Sequence, residues 1–130
     1  MKKVLGMGNA LVDVLIRISD DSLLQKFGLP KGSMQLVDLE KSIFMQESMR
    51  NLKFEVASGG SAANTINGLA NLGSLCGYIG KISNDQNGAH FKADMTSKGI
   101  EALLLIGSQP TGVATTLISS DSQRTFGTYL

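Results

Sequence analysis

Cysteine, histidine, proline and tryptophan are rare or absent in this chain, and the scarcity of cysteine and histidine excludes particular kinds of site. Its 130 residues include one cysteine, one histidine, two prolines and no tryptophan. One cysteine cannot form an internal disulfide, and the single thiol of Cys76 fits a reducing, cytoplasmic setting. One histidine, His90, argues against a multi-histidine metal site and against a Ser-His-Asp triad within this chain. We therefore expect no metal site among these residues.

The chain also has almost no net charge and few aromatic side chains. The net charge is +1 and aromatic residues make up 5% of the chain. Without a basic stripe or a stacking platform, we do not expect nucleic acid as a partner. Apolar runs stay well short of the roughly 20 residues that span a membrane, and Gly6, Gly8 and Asp13 interrupt the first of them. We therefore expect no membrane partner and no signal peptide.

Short apolar runs that are typical of strands alternate with helical patterns along most of the chain. Hydrophobic residues make up 42% of the sequence, enough for one domain with a core. The alternation predicts an α/β protein with a parallel sheet. The expected strands are 4–5, 34–37, 54–57, 75–82 and 102–106, with 4–5, 75–82 and 102–106 buried. The expected helices are 20–27, 38–52, 61–72 and 86–98, and the side chains of Asp38 and Asp85 can cap the second and the fourth of them.

Two segments depart from this pattern. Residues 9–18 alternate with period two, which predicts a strand with one apolar and one mixed face. Residues 113–119 and 124–130 are threonine-rich runs around a turn, which predicts a hairpin. The chain stops inside this last apolar run, so we expect an amino-terminal piece of a longer protein. We also expect an exposed apolar sheet edge and self-association.

The stretch Gly59-Gly60-Ser61-Ala62-Ala63-Asn64 is the most informative one. Two glycines between a strand and a helix allow a sharp turn and a close approach by another group. The free N–H groups at the helix start, with the Asn64 amide, could hold a polar ligand. The alternative is a tight connection capped by Ser61, and this segment alone favours it.

Two further polar residues suggest a ligand that carries hydroxyl groups. Asn9 and Asp13 are four residues apart, so a strand would place them on one face. An amide beside a carboxylate suits vicinal hydroxyls, which both donate and accept hydrogen bonds. The alternative is an exposed strand face with ordinary polar residues.

Two nucleotide-binding motifs are incomplete. Gly6-Met7-Gly8 begins like a dinucleotide fingerprint, but Leu11 stands where the third glycine belongs. Gly80-Lys81-Ile82 lacks the Ser or Thr of a P-loop. A dinucleotide-binding oxidoreductase domain is therefore a weaker alternative.

Taken together, the motifs resemble the ribokinase-like (PfkB-type) carbohydrate kinase family. The resemblance consists of Gly59-Gly60, then Asn64 and Gly80, then the element Ser83 to Gly88, in which Ser83 replaces a glycine. The opening residues 6–13 and the element 110–114 are similar to the adenosine kinase branch. The family fold is a Rossmann-like parallel sheet with helices on both faces and a small β-sheet lid. The resemblance implies lid strands near 9–18, 34–37 and 113–130, within one domain that covers residues 1–130.

The resemblance also implies roles for individual residues. Those that match Asn9 and Asp13 bind sugar hydroxyls, and the one that matches Asn64 also reaches the sugar. The pair Gly59-Gly60 lies beside the sugar and acts as a hinge for the lid. Met34 lies where the adenosine kinase branch places a residue beside the base, although a polar residue is common there.

The activity implied is transfer of the γ-phosphoryl group of ATP, with Mg²⁺, to a primary hydroxyl of a sugar or nucleoside. The family's general base is an Asp in a Gly-Ala-Gly-Asp element, which this sequence does not contain. We therefore expect the chain to carry the acceptor-binding part of a cytoplasmic kinase, with a small-molecule sugar or nucleoside as partner and no turnover alone. The alternative is a non-catalytic sugar-binding or nucleoside-binding module.

Overall fold

A computed structural model of the chain describes residues 2–130. The chain divides into two compact units, one of residues 2–12 and 57–112 and one of residues 13–56 and 113–130. The strands are β1 (Lys3–Met7), β2 (Leu11–Arg17), β3 (Met34–Leu36), β4 (Phe54–Gly59), β5 (Leu75–Ile82), β6 (Glu101–Ile106), β7 (Gly112–Ile118) and β8 (Arg124–Tyr129). The helices are α1 (Ser22–Phe27), α2 (Leu39–Met49), α3 (Ser61–Asn71) and α4 (Gln86–Ser97).

The first unit is built on a parallel sheet in the order β1-β5-β6. Gly6 of β1 lies opposite Tyr78 of β5, so both belong to the same face of the sheet. On that face a Cβ atom at Gly6 would strike Ile66 of α3, and the Phe91 ring of α4 lies 5.6 Å from the Tyr78 ring. Both helices therefore pack on the face that carries Tyr78, and the predicted parallel α/β arrangement is confirmed.

The other face of this sheet exposes apolar side chains. Leu5 is 53% exposed, Met7 72%, Leu103 44% and Leu105 67%. The prediction that strands 4–5 and 102–106 are buried is therefore wrong, because α3 and α4 cover only the opposite face. The prediction of an exposed apolar edge is confirmed, since β6 is the terminal strand of this sheet.

The second unit contains a mixed sheet in the order β3-β8-β7-β2-β4. β7 and β8 form the predicted hairpin, with Val113 opposite Tyr129 and Ile118 opposite Arg124. β3 runs parallel to β8 and places Met34 opposite Phe126. The core of this unit lies where this sheet meets α1 and α2, and it consists of Ile16, Ile18, Leu24, Phe27, Leu29, Met45, Met49 and Leu117.

Helix ends follow their local chemistry. The Asp38 carboxylate accepts a hydrogen bond of 2.8 Å from the Lys41 N–H and so caps α2, as predicted. Gly28 ends α1 in the left-handed conformation, with φ of 62°. None of the helices among residues 2–130 combines the length and apolarity needed to cross a membrane.

The Asp85 carboxylate joins the start of α4 to the segment that precedes β7. It accepts hydrogen bonds from the N–H of Gly88 at 2.7 Å, the N–H of Thr111 at 2.8 Å and the Thr111 hydroxyl at 2.7 Å. The Thr111 hydroxyl in turn accepts from the Ser83 N–H at 2.9 Å. Partial burial raises the pKa of Asp85, but the hydrogen bonds from Thr111 and Gly88 outweigh it and hold the pKa below its usual value. Asp85 is thus both the predicted helix cap and a connection between distant segments.

We expect Asp85→Ala to lower the free energy of unfolding by about 2–4 kcal/mol, because a helix cap and two further bonds to a carboxylate are lost. Asp38→Ala is the matched control, since it removes a cap with one hydrogen bond and should cost about 1 kcal/mol. Because the folded pKa is lowered, the contribution of Asp85 is present above its ordinary pKa of 3.8 and is lost as pH falls through the folded value. Urea unfolding between pH 3 and pH 7 measures both effects, and equal losses in the two variants would contradict the assignment.

We also expect the chain to self-associate through the exposed face of β1 and β6. Leu105→Lys should lower the apparent mass in light scattering, because it places a charge on the terminal strand. Leu72→Lys is the control, since Leu72 is 84% exposed at the end of α3 and lies outside the sheet. A wild-type protein that remains a monodisperse monomer at high concentration would contradict this prediction.

Candidate functional site

The site begins at the turn between β4 and α3. Gly60 is the N-cap residue of α3, with φ of 98° and ψ of 133°, a backbone conformation that residues with a Cβ atom rarely adopt. A Cβ atom there would also lie 2.7 Å from the carbonyl oxygen of Asn9. Glycine is therefore required at position 60 for two separate reasons, and the second is the close approach of the Asn9 backbone.

α3 starts without a side-chain cap. Within residues 2–130, no side chain accepts a hydrogen bond at its N-cap. The Asn64 N–H donates to the Gly60 carbonyl at 2.9 Å, so the N–H groups of Ser61, Ala62 and Ala63 precede the first intrahelical bond. Ser61 is the first helical residue, so the interpretation of Ser61 as the cap is wrong. The uncapped turn leaves donors and a partial positive charge available for a ligand.

Asn9 lies beside this turn and is exposed. It is in the connection between β1 and β2, because β2 begins at Leu11. The prediction of a strand that includes Asn9 and aligns it with Asp13 is therefore wrong. The local reason is the bend at Gly8, whose N–H donates to the Ile79 carbonyl at 3.2 Å. The structure thus brings Asn9, Gly59, Gly60 and Asn64 together within the first unit by way of the backbone.

Asp13 and Met34 belong to the second unit. Asp13 is half-buried in β2, and desolvation by burial raises the pKa of its carboxyl group. Met34 opens β3 and its apolar side chain is 68% exposed. An exposed methionine can contact a flat apolar group, and a half-buried carboxylate can accept hydrogen bonds from hydroxyl groups.

Two polar groups of the first unit were not assigned a role by sequence reasoning. The Tyr78 hydroxyl and the Asn67 Oδ1 atom are buried, and neither has a hydrogen-bond partner among residues 2–130. Asn67 follows Asn64 at helical spacing, which is a sequence signal. Tyr78 has none, because a tyrosine in an apolar strand looks like an ordinary core residue.

The described residues offer hydrogen-bonding groups rather than metal ligands. Residues 2–130 contain no group of three or more His, Cys, Asp or Glu side chains that could hold a metal ion. The donors at the start of α3, with the Asn9 and Asn64 amides, instead fit a polar molecule that presents several hydroxyl groups.

Comparison with known proteins gives consistent results. The model of the pfkB family carbohydrate kinases matches residues 24–130. The 5-dehydro-2-deoxygluconokinase of Halalkalibacterium halodurans is 31% identical over 109 residues, which cover 82% of this chain and 32% of that protein. The adenosine kinase from Sinorhizobium meliloti is 36% identical with a TM-score of 0.84, over 98% of this chain and 39% of that one. The adenosine kinase from Schistosoma mansoni, in complex with adenosine, is 28% identical with a TM-score of 0.85, over 98% of this chain and 37% of that one.

These similarities confirm the predicted ribokinase-like α/β fold. The chain spans between 32% and 39% of the length of these relatives. The family match covers most of the chain, including the glycine turn and the Asp85 element. The chain therefore belongs to the pfkB family of carbohydrate kinases.

Proposed function

We propose that this chain is the acceptor-binding part of an ATP-dependent phosphotransferase that acts on the primary hydroxyl of a sugar or nucleoside. Family membership supports the reaction class. The single observation that carries the binding role is the Gly60 turn, where an uncapped helix start lies against the backbone of Asn9.

The turn has the chemistry that a sugar requires. Vicinal hydroxyls donate and accept at once, and the side-chain amides of Asn9 and Asn64 can do both. The N–H groups at the start of α3 add donors with a partial positive charge behind them. We propose that these groups hold the ribosyl or sugar hydroxyls and that Gly59-Gly60 serves as the hinge.

We predict that Asp13 and Met34 make further contacts with the acceptor. The raised pKa of Asp13 means that its carboxylate lacks full compensation for the water it has lost. Hydroxyl donors from a bound polyol would supply that compensation.

A nucleoside of the adenosine type is the acceptor we favour. The structurally similar proteins include an adenosine kinase bound to adenosine, and the exposed side chain of Met34 suits the face of a base. A free sugar acid is the second candidate, because the sequence relatives include 5-dehydro-2-deoxygluconokinases. An apolar side chain contributes little to recognition of a charged sugar.

ATP is proposed as the phosphoryl donor because the family consists of kinases, and Mg²⁺ is proposed with it. Residues 2–130 do not provide a metal-binding cluster, so we assign neither Mg²⁺ nor a catalytic base to them. These residues would bind and orient the acceptor. The chain alone is expected to show no phosphorylation of adenosine or ribose, and measurable turnover would overturn this part of the proposal.

Titration calorimetry with adenosine, ribose and fructose tests the binding role. We expect the wild-type chain to bind adenosine and Asp13→Asn to bind it about 10–100-fold more weakly, because a charge-assisted hydrogen bond is lost. The same variant should unfold at an equal or higher temperature at pH 7. The folded pKa is raised, so charged Asp13 destabilises the fold at high pH and stops doing so below its ordinary pKa of 3.8.

Glu47→Gln is the control for Asp13→Asn, because Glu47 is an exposed carboxylate on α2. It should change neither affinity nor stability. If the wild-type chain binds neither these three polyols nor a sugar acid such as gluconate, the proposed function is wrong and the chain is a scaffold.

Substitution of Gly60 tests how far the stability of the fold depends on a glycine at the proposed site. Gly60→Ala should lower the free energy of unfolding by about 2–4 kcal/mol, because the strained φ adds to the contact with the Asn9 carbonyl. Gly73→Ala is the matched control, since Gly73 has φ of 87° and open space around its Cβ position. It should cost about 1 kcal/mol and leave adenosine binding unchanged. Circular dichroism and calorimetry at low temperature measure both, and identical behaviour of the two variants would contradict the account of Gly60.

A further inference from the structure

The Tyr78 hydroxyl is an unusual buried group. The Tyr78 side chain is 0% exposed, and its hydroxyl has no hydrogen-bond partner among residues 2–130. Most buried polar groups in native proteins are hydrogen-bonded, and each exception asks for an explanation. A phenylalanine would fill the same space without this penalty.

Gly80 makes room for the Tyr78 ring, because a Cβ atom there would lie 2.8 Å from ring atom Cε1. Gly6 and Gly8 lie in ordinary contact with the side chain, since a Cβ atom at Gly6 would lie 3.6 Å from Cδ2 and one at Gly8 would lie 3.4 Å from the hydroxyl oxygen. The hydroxyl end of the ring points toward Gly8.

Gly8 connects Tyr78 to the proposed binding turn. It directly precedes Asn9, and a Cβ atom at Gly8 would lie 2.9 Å from the Cβ of Ala62 in the first turn of α3. Its N–H is held by the Ile79 carbonyl. Its own carbonyl oxygen lies 3.3 Å from the same Cβ position at Gly80 that the Tyr78 ring approaches. The Tyr78 hydroxyl therefore lies beside residue Gly8, whose carbonyl is an acceptor on the same side of the sheet as the ring.

We propose that Tyr78 is a positioning residue for the acceptor, whose hydroxyl donates to the Gly8 carbonyl when a bound polyol fixes Asn9. This inference rests on the proposed function. The new hydrogen bond holds the peptide that carries Asn9 and so stabilises the occupied form of the turn. Among residues 2–130 the hydroxyl has no partner, so the bond formed on binding would satisfy a buried donor.

Two properties of the site suit this role. Burial raises the pKa of the Tyr78 hydroxyl, which keeps it a neutral donor throughout the physiological range. Gly8 lies in a bend outside β1, where no strand pairing fixes the direction of its carbonyl. The bond would form by rotation of the peptide group between Gly8 and Asn9.

Tyr78→Phe tests the inference, with Tyr129→Phe as the matched control because Tyr129 is the other tyrosine of the chain. We expect Tyr78→Phe to unfold at a temperature equal to or above that of the wild type and to bind adenosine about tenfold more weakly. Tyr129→Phe should match the wild type in affinity. In the wild-type chain, the ¹³Cζ resonance of Tyr78 should shift on addition of adenosine, as it does when a phenol becomes a hydrogen-bond donor, and that of Tyr129 should not.

Several results would overturn the role proposed for Tyr78 or the proposed function. Unchanged affinity in Tyr78→Phe, or a Tyr78 ¹³Cζ resonance that does not shift while adenosine binds, overturns the role of Tyr78 and leaves the proposed function intact. Loss of thermal stability in Tyr78→Phe would show that the hydroxyl is already bonded in the free protein and would also overturn it. A wild-type chain that binds neither adenosine, ribose and fructose nor gluconate overturns the proposed function, and this inference with it.

Discussion

The contact between the Gly60 backbone and the Asn9 carbonyl is the constraint on which the candidate site depends. It fixes where α3 begins and leaves the first N–H groups of that helix without a side-chain cap. It also brings the connection between β1 and β2 to the same place, so that Asn9 lies beside the turn whose carbonyl accepts from the Asn64 N–H. Any side chain at position 60 would have to move one of these backbone segments. The site is thus a property of two backbones in contact rather than of one motif.

Several polar groups lack partners that would stabilise them. Among residues 2–130, the Tyr78 hydroxyl and Asn67 Oδ1 of the first unit have no hydrogen-bond partner and the start of α3 has no side-chain cap. In the second unit, Asp13 is partly desolvated. Each would be improved by a simple substitution if stability alone mattered. Such groups are what we expect if the chain binds a polyol as proposed. Asp85 contrasts with them, because its carboxylate is fully engaged by Gly88 and Thr111 and its role is structural.

Local patterns were enough to predict most elements of the fold. The helix caps at Asp38 and Asp85, the strand β5 and the hairpin of β7 and β8 all follow from short-range chemistry. The predictions were wrong where tertiary contacts, rather than local sequence, determine the structure. β1 and β6 are apolar yet exposed, because no periodicity tells which face of a parallel sheet a helix will cover. Asn9 lies outside β2, because the chain bends at Gly8, where the Gly8 N–H is hydrogen-bonded to the Ile79 carbonyl. The Tyr78 hydroxyl, which has no hydrogen-bond partner among residues 2–130, could not be predicted from the sequence, since its surroundings depend on how the fold places Gly8 and Gly80 around it.

The most direct test of the central claim is a map of backbone amide shifts by NMR as adenosine is added to the wild-type chain. The account predicts saturable shifts that concentrate at Asn9, at Gly59 and Gly60 and in the first turn of α3 through Asn64, with the α4 amides near Ser97 unchanged. Shifts that are absent, or that concentrate on the exposed face around Leu103 and Leu105 instead, would contradict it.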